Sequence, residues 1–231
     1  MSRRNIAAIL AGGSGRRMGG EKPKQLLELA GRTVLERSVD AFDTHPDIDE
    51  VIIVSHPDYL TELTEMAARN GWKKVTHIVP GGAERYDSSL AAMQTVTDAD
   101  ANLLIHDAAR PLVSAQVIRR VVTALQEHAA VGTALPVVDT LVTTDGSRIL
   151  STPDRSVFRR MQTPQGFHIE TLRTAYRRAL ADPHFQATDD CGVVVNYLPE
   201  VAVVWVEGEE RNRKLTYPED LPLFERELTA G

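Results

Sequence analysis

Short apolar runs alternate with segments of helical periodicity along most of the chain. Asn5 to Ala11 (NIAAILA) predicts a buried strand, closed by Gly12-Gly13-Ser14-Gly15. Arg32 to Phe42 predicts a helix, with Val34, Leu35, Val39 and Phe42 on one face. Val51 to Ser55 (VIIVS) predicts the next strand and Asp58 to Asn70 a helix ending at Gly71. Val75 to Val79 then forms a strand that runs into Pro80-Gly81-Gly82. The alternation continues with a helix over Asp87–Val96, a strand over Asn102–His106, a helix over Ser114–His128 and a strand over Val131–Val137. The strand runs are almost continuously apolar, as burial on both faces demands. Strand and helix in turn, joined by short loops, predict an α/β fold with a mostly parallel sheet covered by helices on both faces.

The rhythm breaks over Asp139 to Phe167. Thr143-Thr144-Asp145-Gly146-Ser147 forms a hairpin-like turn between two β-prone stretches, which predicts a projecting β-arm, not a separate domain. Helices near Ile169–Leu180 and Asp189–Tyr197, a strand over Val201–Val206 and a helix from Pro218 complete the pattern. There is no internal repeat and no low-complexity stretch, so residues 1–231 read as a single domain.

Composition narrows the classes of function. At 231 residues, 42% hydrophobic and 25% charged, the chain can bury a core without disulfides or metal. Its one cysteine, Cys191, excludes an intramolecular disulfide framework and a multi-cysteine zinc site. A net charge of −6 argues against a general nucleic-acid binder, which needs a basic face. No stretch approaches the ~18 apolar residues of a membrane span. The run Ile6–Ala11 is too short for a signal-peptide core. A cytoplasmic protein without membrane or nucleic-acid partners is expected.

The chemistry concentrates in a few places. Leu10 to Leu26, LAGGSGRRMGGEKPKQL, places a glycine-rich loop directly after a buried strand. There backbone N–H groups can approach a phosphate with no Cβ in the way. The motif is neither a P-loop nor a dinucleotide fingerprint. The cations Arg16, Arg17, Lys22 and Lys24 just downstream suit a triphosphate whose charge must be neutralised as a bond at the α-phosphorus breaks. A tight turn with solvated charges is the bland alternative.

In LLIHDAARP (103–111), Asp107 stands at the C-terminal end of a strand, where open α/β sheets bind ligands. It is a natural ligand for Mg²⁺ arriving with nucleotide phosphates, and Arg110 could hold a second anion. His106 reads as structural or orienting, not as a general base. Gly81-Gly82-Ala83-Glu84-Arg85-Tyr86-Asp87-Ser88 could line a base pocket with backbone groups and the Ser88 hydroxyl. The same residues also read as a helix capped by Asp87 or Ser88. Asp139-Thr140, Asp154-Arg155, Gln162-Thr163-Pro164-Gln165 and Asn212-Arg213-Lys214-Leu215-Thr216 would each pass alone for solvated surface.

Taken in order, AGGSGRRM, KPKQ, GGAERYDSS, HDAARP, VVDT, DRS, QTPQGF, TDD and NRKLTYPEDL resemble the 2-C-methyl-D-erythritol 4-phosphate cytidylyltransferase family over nearly the whole chain. The ribitol-5-phosphate cytidylyltransferases share most of these blocks. The resemblance implies a Rossmann-like domain, a homodimer joined by a β-arm (139–160), CTP as co-substrate and Mg²⁺. It implies that Ala11, Gly12, Gly13, Gly15, Gly81, Gly82 and Ser88 bind the nucleotide. Arg17 and Lys24 match the pair that stabilises the pentacoordinate α-phosphate, and Asp107 matches the acidic residue near metal and substrate. Arg110, Thr140, Arg155 and Lys214 match the positions that grip the polyol phosphate, some of them from the partner subunit; Arg155 and Lys214 are counted with the catalytic set. Val142, where many members carry Lys, and Asp190-Cys191, where Glu-Ala is usual, depart from the methylerythritol pattern, while HDAARP and the YPEDL ending resemble it, so the resemblance implies methylerythritol 4-phosphate as acceptor with ribitol 5-phosphate as the alternative.

Overall fold

The computed structural model describes residues 3–13 and 23–229. In chain order the first half contains β1 (Asn5–Ala11), β2 (Glu28–Leu29), β3 (Arg32–Thr33), α1 (Val34–Asp43), β4 (Glu50–Ser55), α2 (Leu60–Asn70), β5 (Val75–Pro80), α3 (Arg85–Thr95) and β6 (Asn102–Asp107). The second half contains α4 (Ala115–Ala124), β7 (Ala130–Pro136), β8 (Thr143–Asp145), β9 (Arg148–Ser151), β10 (Arg159–His168), α5 (Ile169–Ala179), α6 (Asp190–Tyr197), β11 (Val203–Glu207) and α7 (Leu221–Thr229).

Seven strands form one sheet in the order β11-β7-β10-β6-β1-β4-β5. All run parallel except β10, which is antiparallel to both of its neighbours. Alternate residues of each inner strand enter opposite faces. Ile6, Ala8 and Leu10 of β1 join one core with Ile52, Val54, Leu103 and Ile105, covered by Met93 of α3, Leu172 and Tyr176 of α5 and Val194 of α6. Ala7, Ile9 and Ala11 join the other with Val51, Ile53 and Leu104, under Leu35 and Phe42 of α1, Met66 of α2 and Val121 of α4. The predicted mostly parallel sheet with two helical layers is the architecture found.

Local signals explain the element ends. Thr33 caps α1 in a reciprocal box with Glu36, accepting from its N–H at 3.1 Å while the Glu36 carboxylate accepts from Thr33 N at 2.7 Å. The predicted start at Arg32 gives way to a two-residue pairing, β2 with β3, turned by Gly31 at φ +78°. Gly71 ends α2 in the left-handed conformation, as predicted. The cap of α3 differs from the expectation. Glu84 is the N-cap, and Asp87 sits inside the helix with its carboxylate accepting from Glu84 N at 2.9 Å. α4 stops at Ala124, short of the predicted His128.

The stretch read as an arm divides in two. β8 and β9 pair only with each other around Gly146 (φ +59°), and every residue of both is exposed. Arg159–His168 instead enters the central sheet as β10, so the end of the Asp139–Phe167 segment is core and not arm. Among the described residues no helix is long and apolar enough to cross a membrane.

Candidate active site

From β1 the sheet grows on one side through β4 to β5, and the chain then returns to lay β6 against the other side of β1. The crevice beyond the carboxyl ends of β1 and β6 is therefore the switch point at which open α/β sheets bind ligands. Three loops meet there. The first holds Gly12 and Gly13 after β1, the second Gly81 and Gly82 after β5, and the third begins at Asp107, the last residue of β6.

Close approach, not a left-handed backbone, explains Gly12, Gly81 and Gly82. A Cβ on Gly12 would lie 3.0 Å from Ser88 Oγ, and one on Gly82 would lie 2.5 Å from Asp87 Cβ. The first turn of α3 thus packs directly against both glycine loops. The first loop is also held from below, where the buried Gln25 amide donates to Ala11 O and, at 3.0 Å, to Gly13 O. Gly15 and Arg17 lie outside the described residues.

Asp107 is the electrostatic centre. Its Oδ2 accepts from Lys214 Nζ at 2.7 Å and its Oδ1 from Arg85 Nε at 3.2 Å. Burial alone would raise its pKa, but the charges of Arg85, Lys214 and Arg110 outweigh this and hold the carboxyl far below its usual range. Lys214 arrives on the segment after β11. Leu215 N donates to Ala109 O at 2.8 Å, and Lys24 Nζ donates to Leu215 O at 2.8 Å. The cation next to the first loop is thereby tied to the segment that carries Lys214. Arg110 Nη1 donates to Asn212 O at 2.9 Å, and the buried Asn212 amide donates to Thr163 O at 2.8 Å. Gln162, Thr163 and Asn212, dismissed singly as surface, are the scaffold beneath Lys214.

His106 is wholly buried. Its Nε2–H donates to Arg110 O at 3.1 Å, and Nδ1 accepts from Thr163 Oγ1 at 3.0 Å. Burial pushes its pKa down to about 4, against the raising influence of Asp107, so the ring is neutral and has no free nitrogen for catalysis. The orienting reading fits.

Thr140 and Arg155 lie beside the exposed hairpin, with the Arg155 guanidinium donating to Val138 O. Among the described residues neither makes a hydrogen bond to Asp107, Arg110 or Lys214. The sequence reading assigned no role to Gln25, Arg85, Tyr176 or Asp190. Arg85 stood in plain view, one turn ahead of Ser88 on the same helix, but nothing local announces that its partner is Asp190.

Glycine loops at the switch point, beside cations clustered around one carboxylate, fit a nucleotidyltransferase. The chain belongs to the IspD family, 2-C-methyl-D-erythritol 4-phosphate cytidylyltransferase, whose model matches residues 6–230. The 2-C-methyl-D-erythritol 4-phosphate cytidylyltransferase of Thermobifida fusca (strain YX) is 54% identical, over 99% of this chain and 94% of the relative. The crystal structure of 4-diphosphocytidyl-2C-methyl-D-erythritol synthase from Anaerococcus prevotii DSM 20548 superposes with a TM-score of 0.86 at 29% identity, over 98% of this chain and 96% of that one. The bifunctional ribulose 5-phosphate reductase/CDP-ribitol pyrophosphorylase Bcs1 of Haemophilus influenzae is 40% identical over 94% of this chain, which spans 47% of that protein. The protein is accordingly a CTP-dependent cytidylyltransferase. Of the two acceptors the motifs allow, the comparisons support methylerythritol phosphate over ribitol phosphate.

Proposed function

We propose that an oxygen of the methylerythritol 4-phosphate phosphate group attacks the α-phosphorus of CTP, forming the new P–O bond as the bond to the β-phosphate bridging oxygen breaks. Pyrophosphate leaves with the electron pair, and the product is 4-diphosphocytidyl-2-C-methyl-D-erythritol. The attacking phosphate is already largely ionised at neutral pH, so no general base is required. The protein's task is alignment and charge neutralisation. Ala11, Gly12, Gly13, Gly15, Gly81, Gly82 and Ser88 hold the nucleotide. Arg17 and Lys24 neutralise the α-phosphate as charge builds on it. Arg110 and Lys214 bind the acceptor phosphate, joined by Thr140 and Arg155, some of them from a partner subunit.

The observation that carries this reading is the Lys214–Asp107 contact of 2.7 Å, placed beside the glycine loops by the tie between Leu215 and Ala109. Asp107 would hold a magnesium ion by exchanging its Lys214 contact for the ion, with substrate phosphates and waters completing the shell. When bound, the ion would neutralise phosphate charge there. Val142, Ile149, Leu150, Val157 and Phe158 expose apolar surface on and beside the hairpin, which supports the 139–160 segment as the homodimer contact. A cytoplasmic location completes the reading.

The test is pyrophosphate release with CTP and Mg²⁺, run in parallel with methylerythritol 4-phosphate and D-ribitol 5-phosphate. Faster turnover of the first is expected. Preference for ribitol phosphate would overturn the acceptor, and silence with both would overturn the reaction.

A further inference from the structure

Behind Asp107 lies a second layer of charge that the transfer reaction does not use directly. Arg85, on the first turn of α3, reaches Asp107 Oδ1 with Nε at 3.2 Å and Asp190 Oδ2 with Nη1 at 2.6 Å. Asp190 is fully buried, and its Oδ1 accepts from Tyr176 OH at 2.6 Å. The Gln165 side chain accepts from Asp190 N at 3.1 Å and Cys191 N at 3.0 Å, fixing the start of α6. The guanidinium is thus clamped from the rear by groups that no substrate reaches.

On the reading above, Lys214 must turn to the acceptor phosphate during turnover. Among the described residues, Arg85 is then the side chain left holding the Asp107 carboxylate. We infer that Arg85, backed by Asp190 and Tyr176, is the positioning residue that keeps Asp107 in its working orientation while Lys214 engages the acceptor. Asp190 has a second effect. By pairing with Arg85 it offsets one of the three cations, Arg85, Arg110 and Lys214, that surround Asp107. The planar fork suits this double duty, because a lysine ammonium is a point charge on a flexible stem and cannot hold two carboxylates in one fixed geometry. Because α3 also carries Ser88 against Gly12 and Gly81, one rigid helix sets both the nucleotide loops and the Asp107 carboxylate.

The inference rests on the proposed role of Lys214, and wild-type turnover tests that reading separately. The decisive set is Arg85→Gln, Arg85→Lys, Asp190→Asn and the double variant Arg85→Gln/Asp190→Asn, each measured for kcat, acceptor KM and thermal unfolding midpoint. Arg85→Gln is expected to lower kcat about 100-fold, the scale of a 1 Å misplacement, with acceptor KM changed less than about threefold. Arg85→Lys should recover part of kcat. Each charge-removing single variant should melt earlier than wild type, because it leaves a buried charge short of a partner. The double variant should regain much of that midpoint while its kcat stays at the level of Arg85→Gln. Recovery of kcat along with stability in the double variant would show a merely structural pair and overturn the inference. So would Arg85→Gln turning over at the wild-type rate. Should Arg85→Gln fail to fold, the double variant and Arg85→Lys still decide it. A wild-type enzyme inactive with CTP and methylerythritol phosphate would instead defeat the underlying reading.

Discussion

A methyl group on Gly81 would stand 2.6 Å from Ser88 Oγ, so the loop after β5 and the first turn of α3 touch with no room for a side chain. Gly81→Ala must push Ser88 or the loop aside and so disturb the proposed nucleotide cradle. An increase of about tenfold or more in the KM for CTP is expected, with the fold retained. In a Ser88→Ala background the nearest remaining atoms are Val54 Cγ1 at 3.3 Å and the residue 88 Cβ at 3.5 Å. The further penalty of the alanine at 81 should shrink there. Equal penalties in both backgrounds would remove Ser88 as the cause.

Lys214 is about a third exposed while its partner Asp107 is 11% exposed, so the lysine end of this pair is the more open to solvent. Lys214→Ala should cut kcat/KM for the acceptor by about 100-fold or more through loss of charge-assisted contacts to phosphate. Asp107 keeps Arg85, so the melting temperature should move little. Steady-state kinetics beside calorimetry checks both halves, and a large drop in stability with unchanged kinetics would reverse the assignment.

His106 sets a pH window for stability. Burial holds its folded pKa at about 4, below the ordinary imidazole value of 6.5, so the unfolded chain binds more protons between those values. Stability from this group is complete above about pH 6.5 and falls as pH drops towards 4, by on the order of 3 kcal/mol in all. Asp107, also depressed, adds its loss at lower pH, as acid falls below the ordinary carboxylate range. Urea unfolding from pH 7 to pH 4 should show the slope, and His106→Gln should flatten it.

Cys191 is buried, and burial together with Asp189 and Asp190 raises its thiol pKa well above the usual value. The thiolate is the reactive form, so the native protein should resist alkylation at neutral pH and keep its activity after treatment. Unfolding in urea should expose one reactive thiol per chain. Rapid native modification with loss of turnover would contradict the buried assignment.

The hairpin side chains Ile149 and Leu150 are 68% and 60% exposed, so Glu at either position should cost the folded chain little. Wild type is expected to sediment as a dimer at micromolar concentration, and the doubly substituted protein as a monomer with reduced turnover. A monomeric wild type would remove the arm from the proposed assembly.

Part of the candidate site is legible in the sequence. Gly12, Gly81 and Asp107 carry local signals, a glycine run after an apolar strand or a charge at a strand end, whereas Ser88 reads equally as a helix cap and Lys214 alone passes for solvated surface until the fold sets it 2.7 Å from Asp107. Gln162, Thr163 and Asn212 were visible only as polar residues. Their meaning depends on β10 entering between β6 and β7, where the ladder to β7 shifts register between Gln162 and Gly166 around Pro164. Pro164 has no N–H to give to a ladder, and the break lets Thr163 turn its hydroxyl to both Asp107 N and His106 Nδ1.

The sequence by itself determined the alternation of strands and helices, the two-faced burial of the sheet and the loops that can approach phosphate. These follow from short-range periodicity and from which residues can lack a Cβ. Tertiary structure alone decided that Arg159–His168 is a core strand and that Arg85 joins Asp107 to Asp190. It also decided that Lys24 is tied to the Lys214 segment through Leu215. Those contacts join residues far apart in the chain, and a buried ion pair or an inserted strand is selected only once the surrounding sheet has closed.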